Sequence, residues 1–152
     1  MHRILLVLSF VAATMFEAMA GSGTATLTCR SASGRTMFKA QLRDISGLLE
    51  GGTLTIDGDS VIFPEQNGDI EHHAIWDPKN GVFTLSYFKP GMEDMRFIRF
   101  WAIPSTFKTV EGNRNVGAVY EFEAFLEATE PRPGKGHATS TIRLQCTLTY
   151  RI

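Results

Sequence analysis

Residues 118–128, AVYEFEAFLEA, decide the fold class. Ala118, Tyr120, Phe122, Ala124, Leu126 and Ala128 fall on one parity, while Glu121, Glu123 and Glu127 fall on the other with Val119 and Phe125. A period of two is the signature of a β-strand with one buried face and one wet face. Working outward, the same alternation returns in 138–151, where Ile142, Leu144, Cys146, Leu148 and Tyr150 share a parity, and in 24–30, where Ala25, Leu27 and Cys29 oppose Thr24, Thr26 and Thr28. Phe38, Ala40 and Leu42 continue it in 35–42.

Turn chemistry separates further strands. Asp57-Gly58-Asp59 sits between Leu54/Ile56 and Val61/Phe63. Asp-Gly supplies the positive φ angles of a tight hairpin. Asp77-Pro78-Lys79-Asn80-Gly81 divides a second hairpin over about 70–87, with Phe83, Leu85 and Tyr87 on one face of its second arm. Pro presets φ and Asn-Gly offers left-handed positions. Lys89-Pro90-Gly91 marks the next turn, then 95–103 reads as a strand and Pro104 to about Val116 as a longer connection. Ile45 to Glu50 reads as a loop or one helical turn. The pattern predicts an all-β fold, an antiparallel barrel of eight or nine strands or a closed sandwich.

Residues 1–20 read as a signal peptide. Arg3 supplies a positive start, Ile4 to Ala13 an apolar run too short to span a bilayer, and Ala18-Met19-Ala20 a small-x-small cleavage site. The expectation is export to a periplasm or extracellular space, with 21–152 as a single β domain. Cys29 and Cys146 are the chain's two cysteines, near opposite ends and both on apolar strand faces. In an oxidising compartment they are expected to pair, linking the first and last strands.

Charge narrows the function. Lys+Arg number 15 against 16 Asp+Glu, a net −1 that argues against a general nucleic-acid binder. Arg3 and Glu17 leave together with the leader, so that balance persists. No apolar helix is left to make an integral membrane protein. An outer-membrane barrel fits the alternation and the terminal Tyr150 and Ile152, but the Thr- and Glu-rich outward faces do not suit lipid.

Catalytic signatures are weak. Glu71-His72-His73 is the most metal-like cluster, yet adjacent residues of a strand point to opposite faces, so His72 and His73 do not jointly chelate one ion. Gly134-Lys135-Gly136 lacks the rest of a phosphate loop, with Thr129 where the first glycine belongs. Asp57/Asp59 and Glu93/Asp94 lie in turns. The expectation is no enzyme, no metal and no cofactor.

Two segments suit a protein partner. In Met95 to Ile103, one parity carries Met95, Phe97, Arg99, Trp101 and Ile103 and the other Arg96, Ile98, Phe100 and Ala102, so several apolar groups stay outside whichever face turns inward. Aromatics and arginine are the side chains enriched in interface hot spots. The 129–137 loop adds Arg132, Lys135 and His137, stiffened by Pro131 and Pro133. The candidate partner-binding set is therefore Arg96, Arg99, Trp101, Arg132, Lys135 and His137. The leading expectation is an exported, non-catalytic inhibitor or immunity-type protein. A small apolar-ligand carrier, with Phe38, Phe83, Tyr120 and Phe122 lining or filling the barrel, is the alternative.

Overall fold

The computed structural model describes residues 23–43, 48–64, 71–90, 96–113, 117–130 and 141–151. Among these residues ten strands form: β1 (Thr24–Arg30), β2 (Thr36–Arg43), β3 (Leu48–Ile56), β4 (Asp59–Phe63), β5 (Glu71–Asp77), β6 (Val82–Lys89), β7 (Arg96–Ala102), β8 (Lys108–Asn113), β9 (Gly117–Ala128) and β10 (Ile142–Arg151). Short 3-10 turns occupy Pro78–Asn80 and Pro104–Thr106. One antiparallel sheet contains them all, in the order β4-β3-β2-β1-β10-β9-β7-β6-β5, with β8 attached to β9 alone. The sheet curls into a half-barrel.

The expected all-β architecture is present, and so is the link between its ends. Cys29 and Cys146 stand directly opposite each other on β1 and β10 and form a disulfide. Both are buried. The order of strands adds what alternation alone does not contain. β1 to β4 make one meander and β5 to β10 another, and the β1–β10 ladder joins them at the centre of the sheet. The strand order ends at β4 and β5 rather than at the first and last strands.

The curl brings these two outer strands' neighbourhoods together through side chains. Phe63 of β4 packs edge-on against Tyr87 of β6, with ring centroids 5.6 Å apart. The Tyr87 hydroxyl donates to the Pro64 carbonyl at 3.4 Å, and the Arg96 guanidinium donates to the Ile62 carbonyl. A bulge helps the sheet bend: Gln41 and Leu42 of β2 oppose Gly51 and Leu49 of β3, leaving Glu50 as the additional residue.

The concave face is a packed aromatic layer. Phe38 of β2 reaches Phe100 of β7 across the interior at 6.2 Å. Phe83 meets both Phe100 and Trp76, and Trp76 meets Tyr120. Phe107 stacks on Phe122 with centroids 4.8 Å apart. The inward parities foreseen for 24–30, 35–42, 82–87, 118–128 and 144–150 are those found buried, and Ile142 is partly buried against them.

Two segments differ from the expectation. The connection after Pro104 contains β8, which lies along the first half of β9's edge while β7 occupies the second half. Gly112, with φ 73°, and the extra residue Val110 irregularly end and bend this strand, which hides it from period-two reading. β3 begins at Leu48, so Leu48-Leu49-Glu50 is strand rather than helical turn. Residues 1–20, and with them the expected signal peptide, lie outside the described residues.

The hairpin turns follow their chemistry. Asp57 and Gly58 both have positive φ, 54° and 90°. Arg35 grips the Asp57 carboxylate with Nε and Nη2 at 2.5 and 2.8 Å, tying the β3–β4 turn to the β1–β2 turn. In the β5–β6 turn only Gly81 is left-handed, at φ 68°, and a Cβ there would meet the Pro104 carbonyl at 2.7 Å. Asp77 accepts the Asn80 amide N–H at 3.3 Å and its side-chain Nδ2 at 2.6 Å.

The Asn80 side-chain bond lowers the Asp77 pKa below its ordinary 3.8. A depressed carboxylate pKa means the turn is stabilised fully above the unfolded value and loses that support as pH falls through the folded one. In an NMR titration, the Asn80 amide shift should therefore follow a midpoint below 3.8, and Asp77→Asn should remove the transition. A midpoint at or above that value contradicts the assigned bond.

Candidate functional site

A single curled layer has its hydrophobic face inside, and among the described residues no other element covers its outside. The outer face of β5, β6, β7 and β9 can be laid out in rows from the strand registers. One row runs Glu71, Phe88, Phe97. The next runs His73, Ser86, Arg99, Glu127. The third runs Ile75, Thr84, Trp101, Phe125. A polar row thus lies between two rows that carry aromatics.

The local geometry holds these groups in place. Ile98, Phe100 and Ala102 take the inner face of β7, which commits Phe97, Arg99 and Trp101 to the outer one. Trp101 packs on Phe125 of the neighbouring strand, centroids 5.7 Å apart and planes tilted by 39°. Arg99 approaches Glu127 at 3.7 Å, its side chain 73% exposed. Such an exposed ion pair contributes roughly 0–1 kcal/mol to stability, so Arg99 stays available to a ligand at little cost. Ile75 is 61% exposed and Phe88 40%. Over the first two rows lies an open groove of about 440 Å³, lined by Glu71, His73, Ser86, Phe88, Phe97, Arg99 and Glu127.

Arg99 and Trp101, then, are brought together on one face. Arg96 is not: it belongs to the opposite parity, and its guanidinium bonds the Ile62 carbonyl across the mouth of the half-barrel. Arg132, Lys135 and His137 lie outside the described residues, as do Gly134-Lys135-Gly136, Met95 and the Glu93/Asp94 pair. The root of their loop is visible. Thr129 N–H donates to the Phe97 carbonyl at 3.0 Å, and Thr129 Oγ1 accepts the Phe97 N–H at 2.9 Å. Thr129 is therefore fixed beside the Phe88–Phe97 row.

Four members of the patch escaped the sequence reading as site residues: Ile75, Phe88, Phe97 and Phe125. Each sits at an outward position among polar neighbours, a signal present in the alternation. Their convergence needed the β7–β9 and β6–β7 pairings, which no local pattern encodes. His73 takes the outer face with Glu71. Among the described residues, no three His, Cys, Asp or Glu side chains converge in a way suited to a metal ion. Among the same residues, no helix is long and apolar enough to cross a membrane.

No family model matches the chain, and no significant match is found among curated proteins or solved structures.

Aromatic cross-strand pairs typically contribute about 0.5–1.5 kcal/mol beyond burial. A double-mutant cycle with Trp101→Ala and Phe125→Ala, followed by urea unfolding, should return a coupling in that range. Strict additivity of the two substitutions contradicts the observed packing of Trp101 on Phe125.

Proposed function

We propose that this protein is an exported, non-catalytic binding protein of the inhibitor or immunity type, and that it docks on a protein partner through the outer face of β5, β6, β7 and β9. The observation that carries the reading is the arrangement of Phe88, Phe97, Trp101 and Phe125 around Arg99 on a face that no other described element covers. Aromatic and arginine side chains clustered at the centre of a patch are what anchor protein interfaces. Thr129, at the rim of the same patch, leads in sequence to the 131–137 segment with Arg132, Lys135 and His137, and a segment carrying Pro131 and Pro133 has little entropy to lose on docking.

The carrier reading has less support. Phe38, Phe83, Tyr120 and Phe122 are buried and each packs on at least one other ring, so they fill space that a ligand would need. A lipid-embedded barrel would need an apolar outward band. Here the outward positions of β1 carry Thr24, Thr26, Thr28 and Arg30, and those of β10 carry Arg143, Gln145, Thr147, Thr149 and Arg151.

The purified protein, immobilised, should retain a specific partner from envelope or extracellular extracts. Trp101→Ala and Arg99→Ala should each weaken retention by about 2 kcal/mol or more if they are hot spots, roughly thirtyfold, without lowering the unfolding midpoint by a comparable amount. Undiminished retention by the double variant contradicts the proposed face.

A further inference from the structure

β4 has five residues, the fewest of the ten strands, and it stands at one end of the strand order. Among the described residues its one hydrogen-bonded neighbour is β3. A strand so placed offers a row of backbone N–H and C=O groups to any extended chain that comes alongside. Its composition sharpens the hazard. Val61, Ile62 and Phe63 favour strands, and Ile62 is 61% exposed.

The register says which groups are offered. Ile56 and Asp59 stand directly opposite each other across the two-residue turn Asp57-Gly58, the position of a hydrogen-bonded pair. Bonded and non-bonded pairs alternate along an antiparallel ladder. Leu54–Val61 and Gly52–Phe63 are therefore bonded pairs, whereas Thr55–Ser60 and Thr53–Ile62 are not. The backbone N–H and C=O of Ser60 and Ile62 thus point away from β3, and Pro64 follows at the next outward position.

Side chains meet these groups where a further strand otherwise would. The Arg96 guanidinium, at the start of β7, donates to the Ile62 carbonyl. The Tyr87 hydroxyl, on β6, donates to the Pro64 carbonyl at 3.4 Å. Pro64 has no N–H to present. Tyr87 is itself held fast, buried and edge-on against the Phe63 ring. The two donors lie 34 and 23 residues from their acceptors, so the cap exists only once the sheet has curled. The outward arginines Arg35, Arg43, Arg99 and Arg143 pair with carboxylates, whereas Arg96 reaches the backbone of another strand.

We propose that Arg96 and Tyr87, together with Pro64, are a guard on the β4 edge that keeps this strand from pairing with a strand of a second copy. A strand added there needs the Ile62 and Pro64 carbonyls as acceptors. With both engaged, it must break existing bonds before it makes its own. No residue of the Arg99–Trp101 face takes part, so the guard and the docking face fail independently.

Sedimentation velocity over a series of protein concentrations is the test. Arg96→Ala should self-associate roughly tenfold more tightly than the unsubstituted protein. Tyr87→Phe, which removes one hydroxyl and keeps the ring, should move association in the same direction by a smaller factor. Adding Ile62→Pro to Arg96→Ala deletes an outward N–H of the edge while keeping the Val61 and Phe63 bonds to β3. That double variant should return to the association of the unsubstituted protein. If neither Arg96→Ala nor Tyr87→Phe associates more tightly than the unsubstituted protein, the proposal is overturned. Association that persists undiminished in Arg96→Ala/Ile62→Pro also overturns it, being the result of a loosened fold rather than of an exposed edge.

Discussion

The pairing of β1 with β10 is the joint on which the architecture depends. Every other ladder connects strands within one meander, either β1 to β4 or β5 to β10. This one connects the two, through seven directly opposed residue pairs from Thr24–Arg151 to Arg30–Gln145. Its inward positions, Ala25, Leu27 and Cys29 against Tyr150, Leu148 and Cys146, are all buried. The disulfide closes the joint covalently over a sequence separation of 117 residues. The contacts of Phe63, Tyr87 and Arg96 at the mouth then hold a curl that the joint has already made possible.

Curling follows from having one layer. A sheet of this size must bury its apolar face, and no helix or second sheet is present among the described residues to do so. The aromatics do it themselves, spanning the interior from Phe38 to Phe100 and from Trp76 to Tyr120. With the inside filled by aromatic rings, the outer face is the surface the described strands present to other molecules. One outward region is chemically distinct: an aromatic and arginine patch centred on Arg99 and Trp101, to which β9 offers Phe125 and Glu127.

Much of this was legible from residues 118–128 and the strands that resemble them, because period-two burial is imprinted directly in side-chain polarity. The disulfide was legible for the same reason: Cys29 and Cys146 share parity with the core residues. β8 was not, since Gly112, the extra residue Val110 and the mixed polarity of Lys108 to Asn113 erase the alternation. Nor was the fate of Arg96. Its parity depends on which face of β7 turns inward, and both faces carry large apolar groups. The candidate patch was half legible. Outward aromatics are visible as exceptions to polarity, but Trp101 meets Phe125 only through a register set by nonlocal pairing.

The joint is tested most directly by removing its covalent lock. Urea unfolding of the oxidised protein should be compared with that of the Cys29→Ala/Cys146→Ala variant, with hydrogen exchange followed on β1 and β10. Closing so long a loop is worth on the order of 4–5 kcal/mol in the chain-entropy model. A loss of that order is expected, with faster exchange along β1 and β10 and correlated opening of the two meanders. Unchanged stability, with β1 and β10 amides exchanging no faster than before, contradicts the β1–β10 joint as the constraint on which the fold depends.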